Sequence, residues 1–170
     1  SLGGNLVLKL LGEYGDETPT EVRAAAVVSP SVNLRASTEL IMAKQNWLYH
    51  QRFVRSLKQR AIVKHKLFPD LYDLATLEKV STIRDFDENF TALSNGFKDA
   101  DDYYSQSSSM RVVSHIRVPT LLIHALDDPF IPFSPMRESA FTDNPNLLIV
   151  ATEQGGHVAF IAASANGDID

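Results

Sequence analysis

The chain has 170 residues, 44% hydrophobic and 22% charged, a composition that excludes a disordered or fibrous polymer and suits a globular domain. Its formal net charge of -5, with no Lys/Arg run longer than two, argues against nucleic acid or an anionic membrane surface as partner. Cysteine is absent, which excludes disulfides and fits a reducing, cytoplasmic setting, and no apolar stretch approaches the roughly 20 residues a transmembrane helix needs.

The chain opens Ser1-Leu2-Gly3-Gly4, with neither an initiator Met nor the charged region of a signal peptide, and reads as processed or as part of something longer. Leu2 to Leu11 is apolar with Asn5 and Lys9 to one side, predicting a buried helix stopped by Gly12 and Gly15. Ala24 to Val28 is a continuous apolar run broken at Ser29-Pro30; Thr120 to Ala125 and Leu147 to Ala151 are two more. Runs of this kind predict parallel strands buried on both faces, and Ser134 to Phe141 predicts a crossover helix between the last two. The fold class is therefore α/β.

Roughly eighty residues separate the first two strands, far more than a normal connection, so 34–110 reads as a helical cap or lid inserted in the domain. Residues 34 to 66 carry apolar residues at helical spacing, with Glu39, Lys44, Arg52, Arg55, Lys58 and Arg60 as solvated faces. Leu71 to Val80 predicts a short helix, and 81 to 110 shows no sustained period. The cap aromatics Trp47, Tyr49, Phe53, Phe68, Phe86, Phe90, Tyr103 and Tyr104 read mainly as its packing, with a smaller share able to cover an acyl chain.

Three local patterns bear on chemistry. Ser1-Leu2-Gly3-Gly4-Asn5 matches the second half of a G-x-S-x-G nucleophile elbow, in which a small residue two places after the serine lets backbone approach closely. Its purely structural alternative is a small-residue helix start. Next, the strand ending at Ala125 runs into Asp127-Asp128-Pro129, at the carboxyl end where sites in open α/β sheets gather. Either carboxylate could orient an imidazole, or both could simply cap a turn. The third is Gly155-Gly156-His157, directly after the last strand, where the glycines can aim the ring back across the strand ends. His50, His65, His115 and His124 have no comparable setting, and a metal site of His115, His124 and Asp127 is disfavoured because alternate strand residues face opposite sides. The order Ser…Asp…His is that of α/β-hydrolases.

These residues, with Thr82-Ile83-Arg84-Asp85-Phe86-Asp87 and Gly96-Phe97-Lys98-Asp99-Ala100-Asp101-Asp102-Tyr103-Tyr104, resemble the YheT-like branch of α/β-hydrolases, related to the ABHD1/ABHD3 group. The resemblance implies the C-terminal part of that fold, with mostly parallel strands and a helical cap. It implies a serine hydrolase of carboxylic esters, medium-chain or lipid esters among them, working through an acyl-enzyme without cofactor or metal. Ser1 would be nucleophile, His157 base and Asp128 the triad acid, since Asp128-Pro129-Phe130-Ile131-Pro132 fits the family frame better than Asp127 does. The oxyanion hole would use the Leu2 backbone N–H, with a second donor from chain upstream of Ser1. A chain beginning at Ser1 would lack the earlier strands, leaving an exposed sheet edge as a route to self-association. Two competing readings stay open: an inactive interaction protein on a hydrolase fold, and an N-terminal-nucleophile hydrolase, which a helix after Ser1 disfavours.

Overall fold

In a computed structural model of the chain, which describes residues 1–160, three apolar runs pair in parallel. They are β1 (Ala25–Val28), β2 (Thr120–Ala125) and β3 (Leu147–Thr152), with β2 in the centre. The register sets Val27, Leu122 and Ile149 side by side; the three strands start at one level, β2 and β3 end together, and β1 ends two residues sooner. Helix α1 (Leu2–Tyr14) packs on this row: Leu8 and Leu11 join Val27, Leu122, Val113, Ile116, Met136 and Phe141 in one apolar core. Burial on both faces, expected from the continuous runs, holds best for β2. In β1 and β3 the alternate residues Val28, Leu148 and Val150 are exposed, because among the described residues α1 and its neighbours cover one face.

Gly12 does not stop α1. The helix continues to Tyr14 and ends at Gly15, whose φ of 51° is the left-handed conformation glycine tolerates. Gly12 serves packing instead: a Cβ there would lie 2.4 Å from the carbonyl oxygen of Val112. The predicted crossover helix is likewise broken, into a 3-10 turn at Ser134–Arg137 and a single α-turn, α7 (Ser139–Thr142), separated by the extended Glu138.

The chain divides into two compact units, Thr38–Ser107 and the residues on either side of it. Where the inserted segment leaves and rejoins the first unit, the two ends are stitched together. The Leu34 N–H donates to the Ser108 hydroxyl at 2.9 Å, and the Met110 N–H donates to the Val32 carbonyl at 3.2 Å. Helix α2 (Leu34–Met42) then leads into the second unit.

That unit is helical: α3 (Trp47–Leu67), α4 (Leu74–Lys79), α5 (Ile83–Phe86), a π-turn at Asp87–Ala92 and α6 (Ala100–Ser107). Val54, Ala61, Leu77, Val80, Phe86 and Phe90 form its core. Lys58 departs from the expected solvated face, its ammonium reaching the carbonyls of Glu78 (3.1 Å) and Val80 (2.7 Å) at the end of α4. Of the cap aromatics, Phe86, Phe90 and Tyr104 are buried, whereas Trp47, Tyr49, Phe53 and Phe68 are exposed.

The segment that showed no period, 81–110, is thus partly helical, and side-chain hydrogen bonds hold it. Thr82 and Asp85 form a reciprocal capping box at the start of α5. Arg84 pairs with Asp101 at 2.8 Å, the Tyr104 hydroxyl donates to Asp87 at 2.7 Å, and the Ala100 N–H donates to Glu88 at 2.8 Å. The two stretches 82–87 and 96–104 are therefore the halves of one polar network. Burial raises Asp87 above the ordinary carboxylate range, with the Tyr104 and Thr91 hydroxyls opposing it.

Gly12→Ala is expected to lower stability by about 1–3 kcal/mol, because the new methyl meets backbone rather than a movable side chain. Urea unfolding checks this; an unchanged midpoint would remove the packing role assigned to Gly12.

Candidate active site

Parallel strands of level register deliver their following loops to one edge of the sheet, and the candidate residues lie there. Ser1 stands immediately before α1, and its backbone nitrogen donates to the carbonyl of Val28, the last residue of β1, at 3.0 Å. Its carbonyl accepts from the Gly4 and Asn5 amides, and its hydroxyl makes no capping bond to the helix. The close backbone approach expected at Gly3 occurs one residue later. A Cβ on Gly4 would come within 3.1 Å of Pro30, while one on Gly3 would meet nothing within 4 Å.

Asp128 follows β2 and its carboxylate is buried. One oxygen, Oδ1, accepts the amides of Phe130 (2.8 Å) and Ile131 (3.0 Å), an Asx-type turn that fixes the side chain. The other, Oδ2, lies 2.8 Å from His157 Nδ1. A carboxylate facing Nδ1 makes that nitrogen the donor and leaves Nε2 free to accept a proton. Burial pushes Asp128 up, but the His157 bond and the two amides outweigh it and hold the carboxyl below its usual range.

Asp127 is used differently. Its Oδ1 accepts the Gly156 amide at 2.8 Å and so anchors the turn that carries the histidine. Gly156 has φ 54°, open to glycine at little cost, and the edge of the Phe130 ring meets the His157 imidazole 5.5 Å away between centroids. The structure brings Asp128 and His157 into contact and sets Ser1 at the same sheet edge. Among the described residues no hydrogen bond joins the Ser1 hydroxyl to the His157 ring, and no hydrogen bond is found to the amides of Leu2 or Gly3.

Two further residues take part that the sequence reading did not assign to this site. Ser29, fully buried after β1, has φ 44°, an uncommon conformation for a residue with a side chain. Its amide donates to Ile123 at 2.8 Å, and its hydroxyl donates to the backbone carbonyl of His157, tying the histidine loop to the end of β1. In sequence Ser29 shows only as a strand terminator. His124 lies inside β2 with Nε2 3.0 Å from the Ile131 carbonyl, so that nitrogen carries the proton and braces the Asp128 turn. Burial lowers its pKa and favours the neutral ring. Among the described residues no group of three His, Cys, Asp or Glu could hold a metal ion.

Comparison with known proteins agrees with this architecture. The chain is 35% identical over 162 residues to "Phospholipase ABHD3" of Mus musculus, covering 95% of the chain and 39% of that protein. It is 38% identical over 168 residues to the YheT protein of Escherichia coli, covering 96% of the chain and 48% of the relative. With the "Medium-chain fatty acid ethyl ester synthase/esterase 2" of Saccharomyces cerevisiae it shares 31% identity over 192 residues, covering 98% of the chain and 41% of that protein. The chain thus spans less than half the length of each of these relatives. No family model and no solved structure matches it.

The lowered pKa of Asp128 has a thermodynamic consequence. Its ionised form is favoured by folding, so the stability it contributes is present above the unfolded-state carboxylate pKa and is lost as pH falls through the folded value. Asp128→Asn is expected to destabilise the chain by about 1–3 kcal/mol at pH 7, with the difference from the parent shrinking towards pH 3. Urea midpoints at the two pH values read this; a gap that stays constant with pH counts against the linkage.

Proposed function

We propose that this chain, a member of the α/β-hydrolase family, carries the catalytic residues of a carboxylic ester hydrolase acting on lipid or medium-chain esters. The observation that carries the reading is the Asp128–His157 bond, formed at the same sheet edge where Ser1 begins α1.

In this reading the Ser1 Oγ attacks the ester carbonyl carbon while His157 Nε2 takes the hydroxyl proton. Asp128 holds the ring in the required tautomer and stabilises the imidazolium. The carbonyl oxygen becomes an oxyanion facing the Leu2 amide, where the N-terminus of α1 adds its positive dipole end. Collapse breaks the bond to the leaving alkoxide, which receives the proton from His157. Water then attacks the acyl-enzyme with His157 again as base, releasing the acid and restoring the serine. Ser29 and Asp127 act as positioning residues, holding the His157 loop through its carbonyl and the Gly156 amide. The inserted segment 34–110 is assigned as the helical cap in this proposal, and the apolar and aromatic core within it suits that role.

The substrate class rests on the relatives' names, phospholipase and fatty acid ethyl ester synthase/esterase, and on the ester chemistry a serine–histidine pair supports.

In the full-length gene product, Ser1→Ala should abolish labelling by a fluorophosphonate probe together with p-nitrophenyl ester hydrolysis. Labelling that persists in Ser1→Ala, or none in the parent, would sink the serine hydrolase reading. Asp128→Asn should lower kcat by on the order of 10³–10⁴, since the amide cannot favour the same tautomer. Ser29→Ala should lower kcat by up to about 10²-fold with KM little changed, because it displaces the base without touching substrate. A Ser29→Ala enzyme with parental kcat would show that this bond does not position His157.

A further inference from the structure

The net charge of -5 conceals a segregation. Helix α3, Trp47–Leu67, holds Arg52, Arg55, Lys58, Arg60, Lys64 and Lys66 and has no Asp or Glu along its 21 residues. At a 1.5 Å rise this is a cationic rod about 30 Å long.

Its two sides differ in kind. His50, Val54, Leu57 and Ala61 recur at helical spacing and face the core of the second unit. The opposite row, Leu48, Arg52, Arg55, Gln59, Val63 and Lys66, follows the same spacing and is exposed from end to end. Leu48 is 72% exposed and Val63 59%. Trp47 at one end of the helix, with Leu67 and Phe68 at the other, is exposed too. Lys58 is engaged by backbone carbonyls and Lys64 lies over the Tyr72 ring, but among the described residues no ion pair is found for Arg52, Arg55, Arg60 or Lys66.

Large apolar side chains and cations without an ion-pair partner are interleaved along this exposed helical face. They match a surface that offers negative charge at one depth and hydrocarbon just below it. Long Lys and Arg stems can lie along such a boundary with their charges at the headgroups. We propose that the outer face of α3 is a docking surface for an anionic lipid bilayer, lying flat on it with Leu48 and Val63 inserted. Net charge averages over the whole chain, whereas these cations are gathered on one element. The proposal is independent of which residues perform catalysis.

Co-sedimentation of the full chain with vesicles of 70:30 phosphatidylcholine:phosphatidylserine, against pure phosphatidylcholine, tests it. Binding is expected to favour the anionic vesicles and to weaken as salt rises. Arg52→Glu/Arg55→Glu/Lys66→Glu should reduce partitioning by on the order of a hundredfold. Leu48→Ser/Val63→Ser should reduce it as well while leaving the charge intact. Because the chain has no cysteine, an environment-sensitive dye can be placed at Val63→Cys and, as a control, at the exposed Ser114→Cys. A blue shift with anionic vesicles at Val63 and none at Ser114 supports the surface and does not depend on how the multiple variants fold. Equal binding to neutral vesicles, parental binding by the triple variant, or no shift at Val63 overturns it. So does tight binding of an oligonucleotide that the Leu48→Ser/Val63→Ser change leaves untouched, if vesicle binding is absent.

Discussion

The double pairing of β2 is the constraint on which the candidate site depends. With β1 on one side and β3 on the other, both parallel and in level register, the backbone of β2 is committed along its length. The loops that follow the strands must therefore emerge together. Ser29, Asp128 and His157 each lie within a few residues of the end of their strand, a distance that leaves little slack. Polar side chains then do the fine placement. The carboxylate of Asp128 loses water on burial and recovers its stabilisation from two amides and an imidazole, which is why its charge survives in the interior. His124 braces that turn from within the strand, and Asp127 and Ser29 grip the histidine loop from two directions. Adjacent aspartates thus have separate tasks, one orienting a ring and the other shaping the loop that bears it.

The second unit is built on a different balance. A modest apolar core is accompanied by a dense set of side-chain hydrogen bonds, in which Asp85 alone accepts from Ser81 and Thr82. The residues in 82–104 that resemble the hydrolase branch are accounted for by this network. They hold short helices that neither length nor periodicity would sustain, since a helix of four residues cannot repay its own nucleation.

Much of the first unit was legible in the sequence because its strands are uninterrupted apolar runs and its turns are marked by Gly and Pro. The ends of β2 and the start of β3 fall where the composition changes. Gly12 misled because a glycine needed for close packing and one needed for a left-handed stop look alike as letters. The helices within 81–107 were illegible because hydrogen bonds between separated side chains leave no periodic trace. Asp128 and His157 were readable from their place after strands, and the resemblance favoured the aspartate whose carboxylate meets Nδ1. Ser29 was not readable. Its role depends on a backbone dihedral and on a carbonyl far along the chain, neither of which a residue type announces. On α3, the charged positions named from the sequence were read as solvated faces, without the pattern that its six Lys and Arg residues are joined by no Asp or Glu.

The stitching of Leu34 to Ser108 and of Val32 to Met110 has a consequence for how such a protein can change. Both ends of the inserted unit are fixed by the first unit's own backbone, so the sheet sees the same boundary whatever lies between them. The entropy of closing a segment rises only slowly with its length. A change of length within residues 38–107 therefore adds little closure cost at this junction.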